Sequence, residues 1–299
     1  MKNENRPFVT QIDPSLAPKI QEDLRQQGFE LNVAPYSIFT AKKKGVSFTL
    51  YESGKAVVQG KDKGEFIEFY LEPQVLGTFE YSHPEADLDL TPRGGSDEAG
   101  KGDYFGPLTV CSLWAEEAEI QKLFELGIAD SKTINDKKIV TLAPQIRKLC
   151  AHSIVRIFPQ KYNELYRSFG NLNQLLAWAH ASAIEELVGK SSCTRVLVDK
   201  FASEHLVERA LARKNVKIDL TQRTKAEEDL VVAAASVLAR DSFLDGMKRL
   251  EEQCGMPLPK GAGSPVLEAG KNLVREQGFE VLPSVAKLHF KTTEQLREH

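Results

Sequence analysis

From Gly94 onward, short β-branched apolar runs alternate with longer runs of helical period, and that alternation limits the fold more than any single residue does. PLTVCSLW and TRVLVDK are brief and apolar, as buried strands are. IQKLFEL, NQLLAWAHASAIEELVG and DLVVAAASVLARDSFLDGMKRLEEQ instead carry strong helix formers at helical spacing. Strands alternating with helices predict an α/β domain on a mixed or parallel sheet. The stretch LPKGAGSPVLEAG, Leu258 to Gly270, breaks the pattern and reads as a mobile loop beside the functional site.

The chain before this point reads differently. Pro14 to Gly28 carries Leu16, Ile20 and Leu24 on one helical face and stops at a glycine, which predicts an amphipathic helix. YSIFTAKK, VSFTLYES and KAVVQGK then alternate apolar and polar residues, separated by KKKG and SGK turns, and predict an antiparallel meander. GEFIEFYLEPQVL predicts a second helix carrying Phe66, Phe69 and Leu71. Tyr81 to Gly95, YSHPEADLDLTPRGG, joins prolines, acids and a double glycine and reads as a linker. At roughly 150 residues per domain, 299 residues predict two domains, placed at 1–85 and 91–299.

Composition narrows the class without choosing a partner. Lys+Arg 39 against Asp+Glu 42 leaves −3, and local stripes rather than this total decide phosphate binding. Cys111, Cys150, Cys193 and Cys254 are scattered with no CxxC pair, which argues against a zinc site and a disulfide framework and for buried small hydrophobes. No stretch approaches the ~18 apolar residues of a membrane helix, and MKNENRPFVTQ lacks the apolar run that drives secretion. A cytoplasmic protein without membrane contact is expected, and the lack of a long heptad pattern predicts a monomer.

The chemistry concentrates in GGSDEAGKGDYFGPLTV, where Asp97 and Glu98 stand side by side among glycines. Adjacent anions cost free energy unless they share a cation or a proton, and flanking glycines let a ligand come close. A divalent-metal site facing a phosphodiester is expected here, with an acidic surface turn as the plain alternative. Gly95 to Lys101 also matches GxxxxGK, but Gly102 replaces the Ser or Thr that would hold Mg²⁺. Two acids inside the loop would repel phosphates, and Pro107 blocks the helix that should follow, so a phosphate-binding loop is excluded. Asp199 ends an apolar strand, where open α/β sheets place ligands. Glu227, Glu228 and Asp229 open a helix whose Ala233 to Ser236 stretch predicts close packing. Lys42, Lys43 and Lys44 lie near Tyr36, Phe39 and Phe48, a basic edge with aromatic interleaving suited to a nucleic-acid backbone.

Together, DEAGKG (Asp97 to Gly102), DSK (Asp130 to Lys132), VDKF (Val198 to Phe201) and KAE…AAASVLAR (Lys225 to Arg240) resemble type 2 ribonuclease H. The resemblance implies a ribonuclease H-like α/β domain, a mixed sheet flanked by helices. It also implies two-metal hydrolysis of the RNA strand of RNA/DNA hybrids with Mg²⁺ or Mn²⁺, leaving 5′-phosphate and 3′-hydroxyl ends, in DNA replication and repair. Its four acids fall on Asp97, Glu98, Asp199 and Glu227, with Glu228 and Asp229 as alternatives for the last. Hard cations take such oxygen ligands. The segment Gly100, Lys101, Gly102 would meet the 2′-OH that separates RNA from DNA, and Lys101 and Lys132 would meet phosphate. No histidine is required, and His180 and His289 read as core or rim residues.

Two features resemble the ribonuclease HIII branch rather than HII. The N-terminal extension is similar in size to the small α+β TATA-box-binding-protein-like domain with which that branch grips substrate. The HII branch reads an RNA–DNA junction with a late GY tyrosine, whereas the last tyrosine here is Tyr166 and the corresponding stretch is LPKGAGSPV. Cutting within longer hybrids is expected, and HII-like cutting at a single ribonucleotide is the alternative. A non-catalytic nucleic-acid-binding protein would need an incomplete acid set, and an enzyme of small phosphorylated substrates would leave the N-terminal domain unexplained.

Overall fold

The computed structural model describes residues 6–78, 81–82, 88–132, 134–199 and 205–297. The chain divides into two compact units, Met1–Asp89 and Leu90–His299.

In the first unit, β1 (Phe8–Gln11), α1 (Ala17–Gln26), β2 (Glu30–Asn32), β3 (Ser37–Lys43), β4 (Val46–Tyr51) and β5 (Lys55–Gln59) precede α2 (Lys63–Phe66), which runs on as a π-helix over Ile67–Leu76. The antiparallel sheet has the order β1-β5-β4-β3-β2. The expected three-strand meander is its centre. Along β4, Val46, Phe48 and Leu50 are buried while Ser47, Thr49 and Tyr51 are less so, and Ile20, Leu24, Phe66 and Leu71 from the helices share the core with that apolar face. The second helix departs from the reading at Phe69, which is 72% exposed. The wider π-turn shifts the side-chain register, so Phe66 and Leu71 face inward without it.

The second unit is built on β6 (Arg93–Ala99), β7 (Leu108–Ala115), β8 (Ala151–Ile157), β9 (Arg195–Asp199) and β10 (Asp219–Arg223), in the order β10-β9-β6-β7-β8. β6, β7 and β8 pair antiparallel, and β9 and β10 run parallel to β6, giving a mixed sheet. Helices α3 (Glu117–Glu125), α4 (Asp136–Leu149), α5 (Pro159–Phe169), α6 (Leu172–Val188), α7 (His205–Arg213) and α8 (Leu230–Cys254) accompany it, followed by α9 (Ser264–Gln277), α10 (Leu282–Val285) and α11 (Lys291–Arg297). Every residue of β7 is buried, as a strand covered on both faces must be. All four cysteines are buried and free. Among the described residues no helix is long and apolar enough to cross a membrane.

Two readings of glycine-rich segments are corrected. Gly94 and Gly95, placed at the end of a linker and beside a ligand, are buried residues of β6. A Cβ on Gly95 would lie 2.5 Å from the backbone nitrogen of Val232, so this glycine admits the backbone of α8 rather than substrate. Likewise Leu258 to Gly270 is not one long loop, because α9 begins at Ser264 with a proline in its first turn. The remaining loop is tied down: Gly261 N donates to Asp103 Oδ1 at 2.6 Å, and Tyr104 N donates to Gly261 O at 2.8 Å.

Candidate active site

The adjacent acids lie on β6 next to β9, so the sheet itself brings Asp97, Glu98 and the strand-end Asp199 to one edge. They line a cavity of about 480 Å³ together with Gly100, Lys101, Gly102 and Lys132. Asp97 is 6% exposed. Its Oδ1 accepts from the Glu98 backbone N–H at 2.8 Å, and Ser236 hydrogen-bonds to its carboxylate. Burial, and then the charge of Glu98, push the Asp97 carboxyl well above its ordinary range.

Glu98 is held the other way. Burial acts to raise it, but His180 and Lys101 outweigh that and keep its carboxyl below the ordinary range. His180 Nε2 donates to Glu98 Oε2 at 3.2 Å, and Lys101 Nζ donates to Oε1 at 3.2 Å. The imidazole is fully buried, with its Nδ1 2.8 Å from Ser96 Oγ. His180 thus sits in the core, as read, but it also orients a site carboxylate, which the sequence reading missed. A lone polar ring in the apolar run LLAWAHASAI was the available signal.

Asp199 Oδ1 accepts from the Ala226 N–H at 3.2 Å, which ties the end of β9 to the short 3₁₀ turn Ala226–Glu228. Of the three acids there, Asp229 is occupied by the fold. It caps α8 by accepting from Val231 and Val232 N–H at 2.9 and 3.2 Å, and pairs with Arg93 Nε at 2.8 Å. Glu228 lies 3.6 Å from Lys225 with its side chain 68% exposed. Glu227 is the member whose charge reaches Lys132. Partial burial pulls the Lys132 ammonium down, but Asp97, Asp130, Glu227 and Asp199 outweigh it and hold it more firmly protonated than usual. The DSK turn that carries Lys132 is tied to α8, with Ser131 Oγ 2.5 Å from Ser236 Oγ. Lys200 and Phe201 of the VDKF motif lie outside the described residues.

The donor set suits divalent cations. Asp97, Glu98 and Asp199 offer carboxylate oxygens, the choice of Mg²⁺ and Mn²⁺, and Lys132 is a positive charge that Asp97 and Asp199 already share. Among the described residues no three acidic, His or Cys side chains close on one point. Asp97, Glu98 and Asp199 line the cavity instead, and Glu227 is not among its lining residues.

In the first unit, Lys42, Lys43 and Lys44 are exposed at the β3–β4 turn, but the aromatic interleaving is corrected. Phe39 and Phe48 are buried and only Tyr36 is open, at 83% exposed, because strand alternation turns both phenylalanines into the core. Lys43 is also engaged: its Nζ donates to Gln27 O at 2.9 Å and lies 5.7 Å from the centre of the Phe29 ring.

A mixed five-stranded sheet with paired acids on its central strand and a third at the end of the parallel neighbour defines a ribonuclease H-type nuclease. Residues 94–293 match the Ribonuclease HII family, and residues 7–80 match a domain family of unknown function. The ribonuclease HIII of Protochlamydia amoebophila is 52% identical, the match covering 96% of this chain and 95% of that protein. Among solved structures, Bst-RNase HIII in complex with Mn²⁺ is 30% identical with a TM-score of 0.68, covering 98% of both chains. Aquifex aeolicus RNase H3 is 29% identical with a TM-score of 0.57, covering 94% of this chain and 99% of that one. The chain belongs to the ribonuclease HIII family. That family's activity is divalent-metal-dependent hydrolysis of the RNA strand in RNA/DNA hybrids.

Proposed function

We propose that this chain cuts RNA within RNA/DNA hybrids using two divalent ions, Mg²⁺ or Mn²⁺, held by Asp97, Glu98, Asp199 and Glu227. The observation that supports this assignment is the cavity lined by Asp97, Glu98 and Asp199, with Glu227 on the short turn that Asp199 Oδ1 holds through the Ala226 N–H. When bound, the ions supply Lewis-acid activation of the attacking water and stabilisation of the leaving 3′ oxygen, which leaves 5′-phosphate and 3′-hydroxyl ends. Asp97, beside Glu98 and hydrogen-bonded by Ser236, would be a ligand to the ions. His180 keeps Glu98 ionised and fixed in direction. The turn Gly100, Lys101, Gly102 meets the ribose: a Cβ on Gly102 would have nothing within 4 Å, so the backbone there is open to a 2′-OH. Lys101 and Lys132 meet phosphate.

Glu227, not Glu228 or Asp229, is the fourth ligand in this reading. Glu227→Gln is expected to lower kcat on a hybrid about 10²- to 10³-fold, with Glu228→Gln within about twofold of wild type. Asp229→Asn is expected to cost about 1–3 kcal/mol of stability instead, because it removes the counter-charge of the buried Arg93 Nε, whose Nη1 keeps its bond to Thr91 O. Single-turnover cleavage with thermal melts separates the three, and full activity in Glu227→Gln sinks the assignment.

The N-terminal unit grips the duplex through charge rather than stacking, since Phe39 and Phe48 face its core. The double variant Lys42→Ala, Lys44→Ala should raise KM about three- to tenfold and flatten its salt dependence by about one to two counterions, at unchanged kcat. An unaltered KM at several salt concentrations contradicts this role. The protein acts as a cytoplasmic monomer on hybrids met in DNA replication and repair.

A further inference from the structure

Lys287 is fully buried. Its ammonium carries three donors and meets three backbone carbonyls: Asp103 O at 2.7 Å, Gly106 O at 2.7 Å and Phe105 O at 3.4 Å. The backbone around it completes the attachment. Lys287 N donates to Tyr104 O at 2.8 Å, Gly106 N donates to Val285 O at 3.0 Å, and Phe105 and Ala286 form an isolated antiparallel bridge. The stretch 103–106 thus takes the larger share of its hydrogen bonds from 285–287, while Tyr104 N and Asp103 Oδ1 also bond to Gly261.

Only Gly100, Lys101 and Gly102 lie between this anchor and Ala99, the last residue of β6. Gly100 has φ +85°, and a Cβ there would meet Pro107 O at 2.2 Å, so the turn starts from a conformation that L side chains rarely adopt. Its course then depends on where its far end is held. Burial pushes the Lys287 ammonium down to about 7, with the charge of Asp103 opposing. An amine kept in such a place against three carbonyls, where an apolar side chain would fill the space, points to hydrogen bonding as its task.

We propose that Lys287 is a positioning residue for ribose recognition: by anchoring the backbone at 103–106 it sets the Gly100–Gly102 turn at the spacing that fits a 2′-OH. This rests on the reading that the turn contacts the ribose. Lys287 is not among the residues that line the cavity, so the acids and the lysines there are left in place when it is changed.

The test compares KM for an RNA/DNA hybrid with the inhibition constant of an all-DNA duplex of the same sequence, in Mg²⁺, using the full chain. A loss of folded molecules lowers kcat and leaves this ratio alone, whereas a misplaced turn weakens hybrid binding selectively. Lys287→Met is expected to raise KM about tenfold with the DNA inhibition constant within about twofold of wild type, and Lys287→Gln, which keeps two donors, to fall between. A wild-type ratio in Lys287→Met that folds by circular dichroism overturns the proposal; where that variant fails to fold, a wild-type ratio in Lys287→Gln does so. Gly102→Ala, which has space for its methyl group, tests the turn itself. If it collapses the ratio and the Lys287 variants do not, the anchor proposal fails alone. If neither moves the ratio, the ribose reading of the turn fails and the proposal falls with it.

Discussion

Asp97→Asn is expected to abolish cleavage, by about a thousandfold or more in Mg²⁺, and at the same time to make the metal-free protein more stable. The two effects have one cause. Asp97 is 6% exposed beside Glu98, and its carboxyl is pushed upward first by burial and then by that neighbour's charge. Without cations, the ionised pair opposes folding; with them, it is the binding energy of the site. Asparagine keeps an oxygen to accept from the Glu98 N–H but removes the charge. The sign follows from proton uptake. The folded, metal-free protein holds a proton on Asp97 at pH values where the unfolded chain has already lost it, so stability falls as pH rises above the ordinary value of 3.8. Glu98 does not cancel this near neutrality, because its shift is downward and acts below its ordinary value of 4.5. Thermal unfolding in a chelator at pH 5 and pH 8 should show the wild type losing more stability than the variant across that interval. At pH 8 the variant should gain about 1–3 kcal/mol. A variant that is less stable than wild type at pH 8 would mean that the acids are not in mutual repulsion.

Gly95→Ala is expected to be strongly destabilising to the second unit. An added Cβ would lie 2.5 Å from Val232 N, 2.6 Å from Val231 C and 2.7 Å from Val232 Cα. All three are backbone atoms of α8, so no side chain can rotate away, and helix and sheet must separate. Overpacking of this kind costs about 3 kcal/mol, or about 6–12 °C in Tm for a unit of this size. The same displacement moves Ser236 away from Asp97, so activity should fall beyond what unfolding explains. Gly102→Ala is the control, since nothing lies within 4 Å of its Cβ, and its Tm should match wild type. Equal melting of Gly95→Ala and Gly102→Ala would contradict the close β6–α8 contact.

These glycines also show where a sequence is readable. β7, α6 and α8 were legible because their apolar runs are long and their periods clear. β1 and β2, with 4 and 3 residues, are too short for alternation to register. Gly94-Gly95 was misread because a double glycine has two physical causes, a free turn and a close backbone approach, and only the position of α8 decides between them. Asp97, Glu98 and Asp199 stood out in the sequence from their local setting, and the sheet brings them to one cavity. That Asp229 is taken up by the fold was not legible, since its partner Arg93 is 136 positions away in the chain. His180 was hidden for the same reason: its meaning comes from Ser96 and Glu98 on a strand 82 residues before it.

The central claim, a metal-dependent nuclease for RNA within hybrids, is most directly tested by cleavage of four end-labelled duplexes: RNA/DNA hybrid, duplex RNA, duplex DNA, and DNA with one ribonucleotide. Each is run with Mg²⁺, Mn²⁺ or a chelator. Cutting of the hybrid alone, dependent on either metal and absent in the chelator, is the predicted result. Strong cutting at the single ribonucleotide, or hybrid cutting that persists in the chelator, would contradict it.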